Sequence, residues 1–136
     1  MLAVAGAGGC SARALEPRLA DHAFASAWAS PLEGPAVRDT RFGVDTEGVT
    51  LWLAFADVLD THTVRVRWRD PSGRIQRDSG PIAINREGGY RPRAGFSARL
   101  PVRDAPASLW PGEWIAEVSW DERPLLARTF VLTEAR

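Results

Sequence analysis

The chain reads as all-β: one domain folded as an antiparallel sandwich of about seven or eight short strands. Three observations carry that reading. After residue 30, apolar residues alternate with a period of two and no stretch repeats at helical spacing. Turn signals rich in Asp, Pro and Gly separate the alternating runs. Three of the six tryptophans fall in the stretch Leu109–Trp120 around a Pro-Gly pair, where a strand leaving a tight turn would bury them.

The elements follow in order. Ser11–Ala20 is interrupted by Pro17 and reads as a tether, so residues 1–20 are expected to precede the sandwich and 21–136 to form it. His22, Phe24, Ser26 and Trp28 alternate with alanines; this is a first strand, although the alanine content leaves a helix open. Pro31–Asp39 is a loop by its Pro and Gly content. Next, Val49, Leu51, Leu53 and Phe55 share one face of a strand, with Thr50, Trp52 and Ala54 on the other. Val64, Val66 and Trp68 then point one way and Arg65, Arg67 and Arg69 the other. Asp70-Pro71-Ser72-Gly73 has the residue order of a type I turn, and Arg74–Ile84 returns from it. Phe96, Ala98, Leu100 and Val102 line one side of a further strand.

The tryptophan-rich stretch completes the pattern. Trp110-Pro111-Gly112-Glu113 suits a type II turn, Pro setting φ and Gly supplying a positive φ. Trp114, Ala116, Val118 and Trp120 would then be buried on one face. With Asp121–Pro124 as the next turn, Trp120 pairs with Leu125, Glu117 faces Arg128 and Ile115 faces Phe130.

Composition limits the function classes. The 136 residues carry 17 basic and 17 acidic side chains, and the formal net charge of zero gives no global pull toward nucleic acid or anionic lipid. Every basic residue is arginine, which suits bidentate carboxylate or phosphate contacts where arginines cluster. The single cysteine, Cys10, rules out an intramolecular disulfide and a cysteine-based zinc site. No apolar run approaches the roughly 20 residues of a membrane-spanning helix. There is no G-x-S-x-G and no phosphate-binding glycine loop before a helix. No catalytic residue, metal or cofactor is therefore expected. Asp57, Asp60 and His62 share one loop, but their spacing matches no established calcium or zinc loop.

Two candidate binding features remain. Arg65, Arg67 and Arg69 project from one strand face at intervals of roughly 6–7 Å. With the hairpin closed at Asp70–Gly73, Arg65 faces Asp78, Arg67 faces Gln76 and Arg69 faces Arg74, leaving two or three guanidinium groups free for an acidic partner, phosphate or anionic glycan. Trp52 and Trp110 are the second feature, as exposed platforms on which a sugar ring could stack.

Two resemblances sharpen the picture. "WRDPSG", then "PGEWIAEV", then "FVL" resembles the pattern W-x-x-P-x-G, P-G-x-W-x-x-x-V, F-x-V of an immunoglobulin-like, fibronectin-III-like sandwich found in bacterial secreted proteins and lipoproteins. It covers roughly residues 40–133; its motifs mark turns and core aromatics, and it implies a fold and a compartment without an assigned activity. "MLAVAGAGGCS" resembles the end of a bacterial lipoprotein signal, with Gly9 the small residue before a cysteine to be acylated. Ala7 departs from the usual leucine, and the apolar run is short and lacks a basic leader. A Gly/Ala-rich tail and an ordinary cleaved secretion signal are the alternatives. The expectation is a non-enzymatic module of the cell envelope, in the periplasm or as an outer-membrane lipoprotein, or else secreted. It would bind an envelope protein or act as a structural adaptor, touching the membrane only through the lipid on Cys10. The rival reading is a small carbohydrate-binding module using Trp52 or Trp110.

Overall fold

A computed structural model describes residues 17–28 and 30–134. It contains the strands β1 (Arg18–Ala25), β2 (Arg41–Gly43), β3 (Gly48–Leu59), β4 (His62–Arg69), β5 (Ile75–Asp78), β6 (Ile82–Ile84), β7 (Tyr90–Pro101), β8 (Gly112–Trp120) and β9 (Arg123–Thr133), with one 3₁₀ turn at Pro106–Leu109. They form two sheets, one ordered β1-β3-β7 and the other β2-β9-β8-β4-β5, with β6 also pairing β4. This is the A-B-E sheet facing the G-F-C sheet of an immunoglobulin-like sandwich. One pairing departs from the antiparallel expectation: β2 runs parallel to β9. β1 begins at Arg18, so the sandwich reaches three positions into the segment expected to be tether. Cys10 lies outside the described residues.

The period-two faces meet as their alternation requires. Val49, Leu51, Leu53 and Phe55 of β3 pack across from Val64, Val66 and Trp68 of β4 and Trp114, Ala116 and Val118 of β8, all buried in one cluster. Phe130 of β9 joins the sheets, its ring 5.0 Å from Phe24, 5.8 Å from Trp68 and 6.1 Å from Trp114. Tryptophans at such a junction each remove roughly 150–250 Å² from water, which is why the chain concentrates them there.

β3 is covered on both sides. Its outward face carries Trp52 and Ala54, which pack with Ala23 in a second, smaller cluster. The loop after β1 folds over them: the Trp52 indole N–H donates to the Pro31 carbonyl at 2.9 Å, and the Arg38 guanidinium lies 5.4 Å from the ring centre. Gly95 makes this cover possible, because a Cβ there would stand 1.8 Å from the Pro31 oxygen.

Both hairpin registers differ from the sequence expectation. Asp121 and Glu122 both have positive φ, 48° and 67°, so the β8–β9 turn is the tight two-residue kind with left-handed central residues. Trp120 therefore pairs with Arg123, and after an irregularity between Val118 and Ser119 the register settles with Val118 opposite Leu126 and Glu117 opposite Ala127. Phe130 faces Trp114 rather than Ile115, and Arg128 faces Ala116. At the other hairpin Arg67 faces Asp78, Trp68 faces Arg77 and Arg69 faces Ile75. The Asp70 carboxylate causes this slip. One oxygen accepts the Ser72 and Arg74 N–H groups and the Ser72 hydroxyl, and the other accepts the Gln76 amide. The expected Asp70–Gly73 turn is present, with the Gly73 N–H donating to the Asp70 carbonyl at 2.8 Å, but the loop around it is wider than four residues.

Candidate binding surfaces

The arginine stripe is on the outer face of β4 as expected, but it is neutralised. Arg65 makes a bidentate pair with Asp78, at 2.9 and 2.7 Å, and approaches Glu122 at 3.5 Å. Arg67 lies 3.5 Å from the same Asp78. Arg69 donates to Glu117 at 2.7 Å and to the Gly73 carbonyl. The Arg65 hydrogen bonds, against the opposing effect of burial, hold the Asp78 carboxyl well below the usual range. Of the four arginines named for binding, only Arg74 extends exposed from its turn. The expectation of two or three free guanidinium groups is overturned because the outer face carries its own carboxylates, Asp78 opposite Arg67 and diagonal to Arg65, and Glu117 diagonal to Arg69.

The tryptophan platforms are absent as well. Trp52 is buried under the Pro31 loop. Trp110 is partly buried against the main core, and its carbonyl accepts the Trp114 indole N–H at 2.8 Å. The exposed indole is Trp28, with the Arg99 guanidinium 5.3 Å from its ring centre. The Asp57–Asp60–His62 loop does not converge either. Asp57 pairs with Arg18 and accepts the Tyr90 hydroxyl, whereas His62 faces Asp121 at 2.5 Å and the Leu59 carbonyl at 2.6 Å. Among the described residues, no three or more His, Cys, Asp and Glu side chains gather as a metal site would require.

The sandwich instead has an open cleft at each edge. The first, about 400 Å³, lies between β1 and β9 and is lined by His22, Phe24, Arg38, Thr40 and Arg128. It is internally satisfied. Arg38 chelates Asp21 at 2.7 and 3.1 Å. Burial, and then the Arg128 charge, press His22 below its ordinary pKa, so its neutral ring accepts the Arg128 N–H groups at 3.2 and 3.3 Å.

The second cleft is larger, about 590 Å³, and follows the free edge of β7. Consecutive residues Arg93–Ser97 line it, alternating between the two sheet faces, so it runs along the strand's backbone edge. Its walls are the Pro31 loop, through Leu32, and β6 with the turn after it, through Ile82 and Arg86. Leu32 is 52% exposed and Ile82 42%. The far wall is held rigidly. The Asn85 amide donates to the Asp60 and Gly89 carbonyls at 2.9 and 2.8 Å, its side-chain oxygen accepts Arg91 at 3.0 Å, and its carbonyl accepts the Thr61 hydroxyl. Arg91 also pairs with Glu87. Among the described residues, neither Arg86 nor Arg93 has a carboxylate partner. The Ser97 hydroxyl oxygen, buried beside this cleft, has no hydrogen-bond partner.

Sequence reasoning passed over this groove because its residues are scattered: Leu32 in a loop, Ile82–Arg86 around a short strand, Arg93–Ser97 on the edge. The available signal was the uncharged run Ala94–Ala98 between Pro92 and Pro101, with no neighbouring strand in the sequence to cover it.

Neither a family model nor a curated protein matches the chain. Solved structures do. The chain is similar to the alkylpurine DNA glycosylase AlkC of Pseudomonas fluorescens, bound to DNA containing an abasic site analog, at 14% identity and a TM-score of 0.54; the match covers 87% of this chain and 30% of the glycosylase. The chain thus spans less than a third of that enzyme, and at this identity the likeness is one of fold alone. It also aligns with an immunoglobulin-like protein from Pseudomonas aeruginosa, at 14% identity and a TM-score of 0.46 over 86% of this chain and 96% of that one. A third match is the C-terminal domain of wzt, at 14% identity and a TM-score of 0.47 over 88% and 74%. Scores below 0.5 carry no weight of their own. The fold class rests on the strand order, which is that of an immunoglobulin-like sandwich.

Proposed function

We propose that the chain is a non-catalytic binding module that docks another protein along the groove at the free edge of β7. One observation carries this reading: the groove is the place where preformed apolar walls, unpaired strand edge and unneutralised charge coincide. An open edge presents a row of backbone donors and acceptors, and recognition by such an edge needs walls to select side chains. The arginine stripe and the β1–β9 cleft are already occupied by their own ion pairs and hydrogen bonds, and both tryptophans named for sugar stacking are engaged in packing.

A photoreactive residue placed at Leu32 or Ile82 tests the reading, with Ala127 on the outer face of the other sheet as the control. Crosslinks to one partner from the groove positions alone are expected in the native host. Crosslinks of equal yield from Ala127, or from that position only, would overturn it.

The cellular setting belongs to the same proposal. Cys10 is the acylated residue of an envelope lipoprotein, supported by the small apolar run that precedes it and by the resemblance to a lipoprotein signal. Multiple acyl chains would anchor the module far above the marginal binding of one chain. Labelled palmitate should enter the native gene product and be lost in Cys10→Ser, which should also leave the membrane fraction. A wild type that is soluble and unlabelled would end the lipoprotein reading and leave the groove untouched.

A further inference from the structure

We infer that the occupant of the β7 groove is an extended acidic segment of the partner, added to the three-stranded sheet as a fourth strand. The inference rests on the reading of this groove as a docking site and names the chemistry of what docks there. β7 pairs with β3 along one side from Tyr90 to Pro101, and among the described residues no strand pairs with its other side. Every second residue of such an edge turns its N–H and C=O outward.

The distribution of protection along the strand argues for use. Proline and charged side chains are the ordinary means of blunting an edge. Here they stand toward the ends, with Arg91, Pro92 and Arg93 at one end of the groove and Arg99 and Pro101 beyond the other. Arg99 moreover folds back, donating to the Ser26 carbonyl at 3.0 Å and the Thr50 hydroxyl at 2.7 Å. Between them, Ala94–Ala98 carries no charge and no proline. A bare centre inside a walled groove is a poor device for repelling strands and a good one for admitting a short strand in a fixed register. Five residues of such a strand reach about 17 Å.

Charge selects the occupant. Arg86 and Arg93 reach the groove without carboxylate partners among the described residues, while Glu87 is taken by Arg91. Arg93 shares the Pro31-loop side of β7 with Gly95, whereas Arg86 lies on the β6 wall. Acidic side chains of an added strand would therefore meet Arg93 on one side or Arg86 on the other, and apolar ones would meet Leu32 on the first side and Ile82 and Phe96 on the second. A second copy of this chain fits worse: antiparallel self-pairing centred on Phe96 sets Arg93 of one copy opposite Arg99 of the other, and like charges directly opposite are destabilising.

The test uses the full chain and a fluorescein-labelled ten-residue peptide of alternating glutamate and valine. Saturable binding is expected, with slowed exchange of edge amides within Ala94–Ala98. Affinity should fall about tenfold or more in Arg86→Glu/Arg93→Glu, whose surface positions leave the fold intact. A peptide with proline in place of each valine keeps the charge and loses strand pairing, so it should bind at least about tenfold more weakly. No saturable binding of the first peptide below about 1 mM, or equal binding of the proline peptide without amide protection, would overturn the inference. Self-association with protection of Ala94–Ala98 would overturn it in favour of a second copy. Crosslinks from Leu32 and Ile82 that persist while the acidic peptide fails would sink only the chemistry assigned to the partner; loss of both would sink the docking site itself.

Discussion

Asp70 shows how one side chain can reset an element. It is 3% exposed. Burial pulls its carboxyl upward, but hydrogen bonds from Ser72 and Gln76 and from the Arg74 and Ser72 backbone outweigh that and hold it at about 2. Because the folded value lies below the ordinary 3.8, the carboxylate's contribution is complete above that ordinary value and is lost as pH falls through about 2. Asp70→Ala should cost about 1–3 kcal/mol at neutral pH, since it strands buried donors. In urea melts at stepped pH the gap between variant and wild type should close on acidification through that window; a constant gap would contradict the assignment. Gly95 makes a different demand. Its missing Cβ is what admits the Pro31 carbonyl, so Gly95→Ala should push the loop off Trp52. We expect a loss of about 1–3 kcal/mol with a red-shifted tryptophan emission, and an unshifted spectrum would show that the cover tolerates the methyl. Neither role is visible in sequence: a glycine in a strand announces a close approach without saying by what, and the alternation correctly turned Trp52 away from Leu51 and Leu53 while giving no hint of the loop that covers it.

At the level of elements, the long strands were legible, whereas the three-residue β2 and the registers were not. Alternation identified the buried faces of β3, β4, β7 and β8 residue by residue, because a period of two is imposed by the pleat. Register depends on turns, and both hairpins turned on details that residue types understate. Asp121 and Glu122 are unexceptional turn residues until both adopt positive φ, which shortens the turn by two positions; the irregularity between Val118 and Ser119 returns one, so the body of β9 is shifted by one. That shift moved Arg128 to the edge cleft beside His22 and gave Glu117 to Arg69. A double-mutant cycle on Glu117 and Arg69 should therefore return about 0.2–1 kcal/mol of favourable coupling, weakened by salt. Glu117 with Arg128 should return none, and the reverse outcome would restore the register that residue types suggested. Gly112 has the positive φ expected of it, 133°, and a Cβ would meet the Pro71 ring at 2.9 Å, but the expected type II turn is not formed: Gly112 is the first residue of β8 and pairs with Leu132. Gly112→Val should lower stability by about 1–3 kcal/mol in a thermal melt, and an unchanged midpoint would refute the strained backbone. The candidate site lay beyond this level of reading altogether. The stripe Arg65-Arg67-Arg69 was conspicuous because its members are close in sequence, yet the carboxylates that neutralise it come from β5, β8 and the β8–β9 turn.

The molecule as a whole is closed by its most distant parts. β2 lies early in the chain and pairs with the last strand, Phe42 opposite Leu132, and Phe130 of that strand touches aromatics from β1, β2, β4 and β8. Such pairings are the slow part of folding, because the entropy of closing a long loop is lost before any contact rewards it. Refolding from denaturant should accordingly be a millisecond-to-second process, and Phe130→Leu should slow it if the junction forms in the transition state, or speed unfolding alone if it forms afterwards. During synthesis the consequence is one of order. Everything up to Glu122 can emerge from the ribosome with β8 bare on one side and the aromatic hub empty, so a nascent chain holds an unsealed core until Arg123–Thr133 arrives. A sandwich sealed only by β9 remains open until then, and a stop codon placed just short of Arg123 would yield a product for proteases rather than a smaller sandwich.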